Sequence, residues 1–347
     1  MSARTSSLSN LARSWWPLAS LILPVVVVPP LFAGRSIAMD AVLTLALINV
    51  AMVVALYVFV GTSGVVSFGQ ASFMAVGAYV CGMLTIPEIA KPVVIPNAPG
   101  VFADHTLGTL PAIVIGGAVA GVVAGIVSIP LLRLSGIAAS IGTLSLLVIT
   151  STFFTNWKPG SSGGGNLTRI PSDTTINAAT GWLVVFLLVG FLYQRSRFGL
   201  RLRASREDEV AARAVGVRVN LERRIAFVLS AIMFGIVGGL YAHTIGSISA
   251  GDFSFDITFI GLAMLVVGGT RSLYGAVLGA TLISMIDYAF DQWQNDSPAF
   301  GVLLHVPNGT SDLLVALVLV LVLVFRPHGL TGGRELPWIT SPRLEKP

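Results

Sequence analysis

Charge is what this sequence has least of. Only 11% of its 347 residues are Asp, Glu, Lys or Arg, where soluble domains carry about 25%. A globule of this size needs charged side chains over most of its exterior, so a water-soluble fold is excluded and lipid must be part of the solvent. Cysteine is nearly absent as well. The single Cys81 permits no internal disulfide, which excludes a small cross-linked secreted scaffold. Lysine is confined to Lys91, Lys158 and Lys346, none of which follows a glycine-rich turn, so the chain has no phosphate-binding loop. The four histidines, His105, His243, His305 and His328, do not cluster with cysteines or carboxylates at metal-ligand spacing. Nor is there a convergent set of nucleophile and acid–base residues such as a membrane-embedded enzyme requires.

What is abundant is apolar: 54% of the residues are hydrophobic. A membrane-spanning helix uses about 20 such residues, and the total suits about 8–10 spans. Apolar runs bounded by charges or turn residues predict spans at 15–32, 41–60, 71–86, 110–132, 136–155, 175–193, 225–245, 257–269, 273–290 and 313–325, of which the third and eighth are short. Arg4 and Arg13 precede the first run as in a signal peptide. That run is long, however, and no clean small-x-small cleavage site follows, which favours a retained anchor. The organisation expected is an N-terminal tail at 1–14, a transmembrane domain at 15–330 and a C-terminal tail at 331–347. The 37 glycines follow no Gly-X-Y period and suit close helix packing and broken membrane helices.

With both termini cytoplasmic and ten alternating spans, seventeen of the 21 basic residues fall inside, leaving Arg35, Lys91, Lys158 and Arg169 outside. Translocation disfavours positive loops, so the net charge of +5 and the pI near 9.7 report topology and not a nucleic-acid partner. The outer loops at 87–109 and 156–173 are rich in Pro, Gly, Ser and Asn and read as irregular connections. Asp287 and Asp291 sit one helical turn apart near the end of the ninth span. A proton relay there would be a site, but a position near the outer interface favours hydration.

Two stretches stand apart. Residues 195–224 hold thirteen of the 37 charged residues. There Ser205 and Asp208 have capping-box spacing, Glu207, Asp208 and Glu209 crowd a first turn, Ala211, Ala212 and Ala214 favour helix, and Gly216 supplies a left-handed stop. The pattern predicts a cytoplasmic helix of about ten residues, which either links two spans as a solvated element or docks on a partner. Residues 61–70 carry three glycines among hydroxyl and amide groups. Such a run is expensive in lipid unless irregular backbone lines a cavity or packs on protein. A discontinuous helix is expected there, with Ser63, Ser67 and Gln70 offering hydrogen bonds to a polar solute and Gly64 and Gly69 supplying the bends. Tight helix packing is the other reading. Asn49 and Thr143 are weaker candidates of the same kind.

Residues 203–216 (RASREDEVAARAVG) followed by 226–231 (AFVLSA) resemble the cytoplasmic loop of ABC-importer permeases for branched-chain amino acids. Residues 62–73 (TSGVVSFGQASF) continuing to Gly77, Ala78 and Tyr79 resemble that family's first-half signature. Residues 135–137 into Ala139, Thr143 and Leu144, the glycines at 163–165, and 253–269 into Gly275, Gly279 and Ala280 fall in the family's order, so the resemblance covers roughly 40–330. Ala250, Arg271 and Ala276 stand where the family usually has Pro, Gly and Pro, departures that bear on the cargo more than on the fold.

The resemblance implies an all-α polytopic permease of the inner membrane, without catalytic or metal site or cofactor of its own. It implies two ATP-binding partner subunits that hold ATP and Mg, a second homologous permease and an external substrate-binding protein. By the same resemblance Arg206, Glu207, Asp208, Glu209, Ala212 and Gly216 belong to a coupling helix that contacts the ATP-binding subunit. The pathway would run past Asn49, Ser63, Gly64, Ser67, Gly69, Gln70 and Thr143. Gly164, Asn166, Asp252 and Asp256 are candidates for the surface that meets the binding protein, where acidic groups could steer docking; ordinary solvated loop residues are the other reading. Branched-chain amino acids are the expected cargo, with urea, short amides or small carboxylates as the alternative. An ion-coupled secondary transporter is the alternative from another class, but it would need intramembrane carboxylates, and here most acidic residues map to loops or span ends.

Overall fold

The computed structural model describes residues 16–27, 29, 33–34, 37–96, 100–103, 106–134, 137–157, 165–294, 306–307, 309–326 and 328–333. The fold is that of an all-α polytopic membrane protein. The helices are α1 (Trp16–Val27), α2 (Ile37–Leu56), α3 (Gln70–Thr85), α4 (Lys91–Val94), α5 (Gly100–Ala103), α6 (Thr109–Leu131), α7 (Ile137–Asn156), α8 (Ile176–Arg195), α9 (Arg197–Glu207), α10 (Glu209–Ala214), α11 (Val219–Ile245), α12 (Phe255–Gly268), α13 (Leu273–Gln294) and α14 (Thr310–Phe325).

Among the described residues seven helical segments are long and apolar enough to cross a membrane: Met39–Gly61, Thr109–Leu131, Ala138–Asn156, Ile176–Arg195, Val219–Ile245, Ala250–Gly268 and Leu273–Gln294. Three apolar helices are shorter, at Trp16–Val27, Gln70–Thr85 and Leu313–Phe325. All ten expected segments are therefore helical across the bulk of their described residues. The eighth is longer than its apolar run predicts, because a 3-10 turn (Ala250–Phe253) opened by a Ser249–Asp252 capping box leads into α12. The third remains short. Its 16 residues reach about 24 Å, against an apolar bilayer core of about 30 Å. Fourteen of the 16 are buried, so α3 is enclosed by protein, the setting in which a half-length membrane helix is tolerated.

Small residues decide how the centre packs. Lipid is as apolar as leucine, so helices in a membrane associate through close approach and not through hydrophobic burial. α3, α6 and α11 meet where Gly77, Gly116 and Gly235 face one another: a Cβ on Gly77 would overlap the Gly235 backbone, and one on Gly116 would lie 2.8 Å from the Gly77 carbonyl oxygen. α12 and α13 pair in the same way through Gly268, Gly275 and Gly279. α2 lies against α8, α11 and α13, and the Ser230 hydroxyl on α11 donates to the Ala55 carbonyl at 2.7 Å. Phe227 is buried edge-on against Phe59 (5.1 Å) and Phe73 (5.3 Å), which joins α11 to both sides of the α2–α3 junction. His243 is buried in this core with Nδ1 2.8 Å from the Gly239 carbonyl oxygen and Nε2 2.9 Å from the Thr85 hydroxyl, the environment of a satisfied packing residue.

At the end of the bundle away from α9 and α10, Leu167 and Ile248 form an antiparallel bridge with two 2.8 Å hydrogen bonds. The loop expected to be irregular after α3 contains the short helices α4 and α5, tied by Lys91 Nζ, which donates to the Phe102 carbonyl at 2.7 Å. The tails at 1–14 and 334–347 lie outside the described residues. Residues 331–333, placed in the C-terminal tail from sequence, are described: Thr331 donates from its N–H and its hydroxyl to the Gly268 carbonyl, fastening this stretch to the end of α12.

Candidate functional site

α2 does not end cleanly. At Tyr57–Gly61 its hydrogen bonding widens into one π turn, a feature that accumulates at functional sites. Non-helical chain follows from Gly64 to Gly69, and α3 starts at Gln70. Gly64 takes φ +73°, which only glycine adopts without strain. Gly69 is in contact with α7: a Cβ there would lie 2.7 Å from the Thr143 carbonyl oxygen.

α7 holds this break by its backbone. The Phe68 N–H donates to Thr143 Oγ1 at 3.1 Å, Thr143 Oγ1 donates to the Ser140 carbonyl at 2.8 Å, and Ser140 Oγ donates to the Val66 carbonyl at 3.1 Å. Ser63 Oγ is turned onto its own loop, accepting from the Val65 N–H at 3.2 Å. The hydroxyls of Ser63 and Thr143 therefore shape the break. Ser67 and Gln70 are different: both are buried, with Gln70 1% exposed, and among the described residues Ser67 Oγ and both polar atoms of the Gln70 amide have no partner. Ser72 Oγ, two residues further along α3, shares that condition and was not legible from sequence. Buried polar atoms without partners are costly, at about 1–3 kcal/mol each, and here three residues that carry them lie together at an irregular turn. Asn49 is not brought into this group. It lies half-buried on α2, twelve residues before Gly61, about 18 Å along the axis.

The charged segment after α8 folds as two helices, not one. Ser196 caps α9, accepting from the Gly199 N–H at 3.2 Å. The expected capping box at Ser205 and Asp208 does not form. Ser205 is buried inside α9, where its hydroxyl donates to the Leu202 carbonyl at 2.7 Å, and Asp208 in extended conformation caps α10, accepting from the Ala211 N–H at 2.9 Å. The expected ten-residue helix is thus the six-residue α10, closed by Gly216 at φ +87° and preceded by eleven residues of α9. The sequence did carry a signal for α9: Phe198, Leu202 and Ser205 share one helical face, behind a serine cap.

Ala212 is buried within this hairpin, while Val210 and Val215 project from it, 79% and 81% exposed. Glu209 fastens α10 to α11 through Arg223 (2.9 Å) and pairs with Arg213 on its own helix (2.6 Å). Glu207 meets Arg271 at 3.6 Å on the surface, a contact worth little by itself. Arg206 reaches the helix break: its guanidinium donates to the Gly61 carbonyl and, at 3.3 Å, to Thr270 Oγ1.

Burial works against ionisation of Glu209, but hydrogen bonds and positive charge from Arg223 and then Arg213 outweigh it and hold the carboxyl below its ordinary value of 4.5. A carboxyl depressed in the folded state contributes stability above its unfolded pKa and loses it as pH falls through the folded value. A spin label on Val210→Cys should therefore be equally immobile between about pH 7 and pH 5 and gain mobility below the ordinary carboxylate range. Glu209→Gln should remove that pH dependence. Unchanged mobility down to about pH 3 would count against the role of Glu209 as a fastener.

At the far end, Asn166, Asp252 and Asp256 are all exposed. The bridge at Leu167 and Ile248 brings the Asn166 segment beside the turn that carries Asp252. Asp252 is engaged in its own turn, accepting from the Ser249 N–H at 2.8 Å and the Ser249 hydroxyl at 2.9 Å. Gly164 lies outside the described residues. Among the described residues no group of His, Cys, Asp and Glu is arranged to hold a metal ion.

Comparison with known proteins shows the family. The family described as branched-chain amino acid transport system / permease component matches residues 38–323. The chain is 26% identical over 336 residues to the high-affinity branched-chain amino acid transport system permease protein LivM of Escherichia coli, with 87% of this chain and 70% of LivM covered. It is 30% identical over 229 residues to the autoinducer 2 import system permease protein LsrC of Salmonella paratyphi B, with 62% of this chain and 63% of that protein covered. With LsrC of Klebsiella pneumoniae the identity is 32% over 216 residues, covering 60% and 59%. The chain thus spans a little under two thirds of the length of these LsrC relatives.

Proposed function

The chain belongs to the branched-chain amino acid transport system / permease component family, and on that premise we propose that it is the membrane-spanning subunit of an ATP-driven importer whose pathway passes the break between α2 and α3. Two partner subunits bind ATP and Mg, a second related permease completes the pathway, and an external binding protein delivers the cargo. The α9–α10 hairpin faces the cytoplasm, consistent with the seventeen basic residues that an alternating topology assigns to that side, and both termini lie there too. The residues at 166 and 252–256 then face outward, where acidic groups steer a binding protein during docking.

The observation that carries this reading is the union of two features. Among the described residues, buried Ser67 and Gln70 lack partners at an irregular turn, and the π turn that leads into it is hydrogen-bonded to a hairpin that presents exposed Val210 and Val215. A partner groove that covers α10 gains apolar area at its tip, and a displacement of the hairpin is delivered to the polar break. Branched-chain amino acids are the cargo we favour, from the family description and the LivM relative. Autoinducer 2, the import substrate in the name of the LsrC relatives, is the competing cargo; the hydroxyl and amide groups at the break suit a neutral hydroxylated solute.

The test is reconstitution in proteoliposomes with the ATP-binding subunits and the binding protein of the same system. Labelled leucine should enter only with ATP, and excess autoinducer 2 should not compete. Val210→Arg places a charge at the apolar tip and should reduce ATP-dependent uptake by at least about tenfold, the effect of losing roughly 1.4 kcal/mol of coupling, while the chain remains in the membrane. Uptake without the ATP-binding subunits would favour a secondary transporter. Uptake of autoinducer 2 in place of leucine would move the cargo and leave the importer intact.

A further inference from the structure

Arg203 and Arg206 lie three residues apart on one face of α9, and each joins the same two places. Arg203 Nη2 donates to Tyr57 Oη at 3.3 Å and to the Arg271 carbonyl at 3.1 Å. Arg206 donates to the Gly61 carbonyl and to Thr270 Oγ1. Tyr57 and Gly61 are the first and last residues of the π turn, and Thr270 and Arg271 form the turn between α12 and α13. The two arginines therefore grip both ends of the π turn and tie it to the α12–α13 turn.

The fit is specific to glycine and arginine. The stem of Arg206 crosses Gly64, where a Cβ would lie 2.8 Å from Arg206 Cγ. Carbonyls at a helix C-terminus lack intrahelical partners and carry partial negative charge, so a guanidinium satisfies both demands at Gly61. Tyr57 Oη in turn donates to Gln194 Oε1 at 2.7 Å, which extends the junction to the end of α8. Burial and then the nearby Arg271 lower the pKa of Arg206, yet a guanidinium stays charged throughout the physiological range.

From this junction, and resting on the importer reading above, we propose that Arg206 is a positioning residue that converts movement of the α9–α10 hairpin into movement of the α2–α3 break. A rigid bidentate guanidinium transmits displacement where an amine on a flexible stem would slip. When the hairpin shifts, Gly61 and Thr270 follow together, and the turn that leads to Ser67 and Gln70 is re-aimed. Without Arg206 the hairpin still moves with its partner, but the break no longer follows.

Two spin-label pairs separate these events in the complex with its ATP-binding subunits, with buried Cys81 replaced by Ala. One pair joins Leu200→Cys on α9, an exposed site away from the partner-facing tip, to Val122→Cys on α6, and the other joins Val66→Cys in the break to the same site. In the wild type, trapping with ATP and vanadate should shift both mean distances by about 2 Å or more, the scale of helix movements in switching proteins. In Arg206→Ala the first pair should keep its shift and the second should lose it, with Arg206→Lys recovering part of it. A break pair that moves as far in Arg206→Ala as in wild type overturns the proposal. A wild-type complex in which neither pair responds overturns the importer reading itself. Should Arg206→Ala fail to fold, Thr270→Val removes one anchor without touching α9; a reduced break-pair shift supports the proposal, and an unchanged one rejects it.

Discussion

Replacing Gly77 with valine is expected to abolish recovery of the folded protein. A Cβ at this position would overlap the backbone of Gly235, and the Gly77 carbonyl is itself close to Gly116. Overpacking in a core ordinarily costs about 1–3 kcal/mol and is eased by neighbouring side chains that change rotamer. Here the obstacle is backbone, which has no rotamer to change, so α3, α6 and α11 must separate along their whole contact. A penalty of about 3 kcal/mol or more falls on a total stability of the order of 5–15 kcal/mol. Gly181 on α8 is the control, because a Cβ there meets nothing within 4 Å. Gly181→Ala should be neutral or stabilising by up to about 1 kcal/mol through helix propensity, whereas Gly77→Ala should already lower the melting temperature. Gel filtration of detergent extracts and thermal unfolding read both effects. A Gly77→Val protein with wild-type melting would reject the close three-helix contact.

The second large effect has opposite signs in two measurements. Gln70→Met keeps side-chain length and flexibility while removing a buried amide that has no partner among the described residues. Removal of that amide should raise stability by about 1–3 kcal/mol. If the same amide bonds the solute in transit, uptake should fall by about tenfold or more, since roughly 1.4 kcal/mol of lost interaction corresponds to a factor of ten in rate. Stability gained at the expense of activity is the usual mark of a functional residue held in an unfavourable state. The two readouts are melting temperature and ATP-dependent uptake in proteoliposomes, with ATP turnover measured alongside. A variant that melts higher and transports normally would make Gln70 a tolerated packing defect. One that melts lower would show that the amide has a partner within the assembled transporter.

The broken helix was legible because residues 61–70 set local chemistry against its solvent: three glycines and several hydroxyls inside an apolar stretch call for irregular backbone or tight packing against protein, and the structure decided for the break. The hairpin was only half legible. Asp208, Ala211 and Gly216 gave α10 its body and its stop, but a serine followed by an acid three residues on reads equally as a cap or as a buried residue within a preceding helix. Burial of Leu202 and Ser205 against the bundle decided for the second, and α9 was therefore missed. The division among the polar residues of the break was not legible at all. Thr143 is 75 residues from Phe68 and Arg206 is 145 from Gly61, and local pattern carries no information over such separations.

Composition and periodicity alone determined that the chain lives in a bilayer, that ten apolar segments form helices, where the longest run of charge lies and where one helix must break. Those outcomes follow from the free energy of placing each residue in water or lipid, which depends on the residue and its near neighbours. Only the tertiary structure decided which glycines bring backbones together, that α3 is enclosed by protein, that Ser63 and Thr143 are consumed in shaping the turn while Ser67 and Gln70 are left open, and that Arg203 and Arg206 tie the hairpin to both ends of the π turn. A hydrogen bond or a close contact depends on where a second, distant group comes to rest, and that position is settled only when the helices have packed.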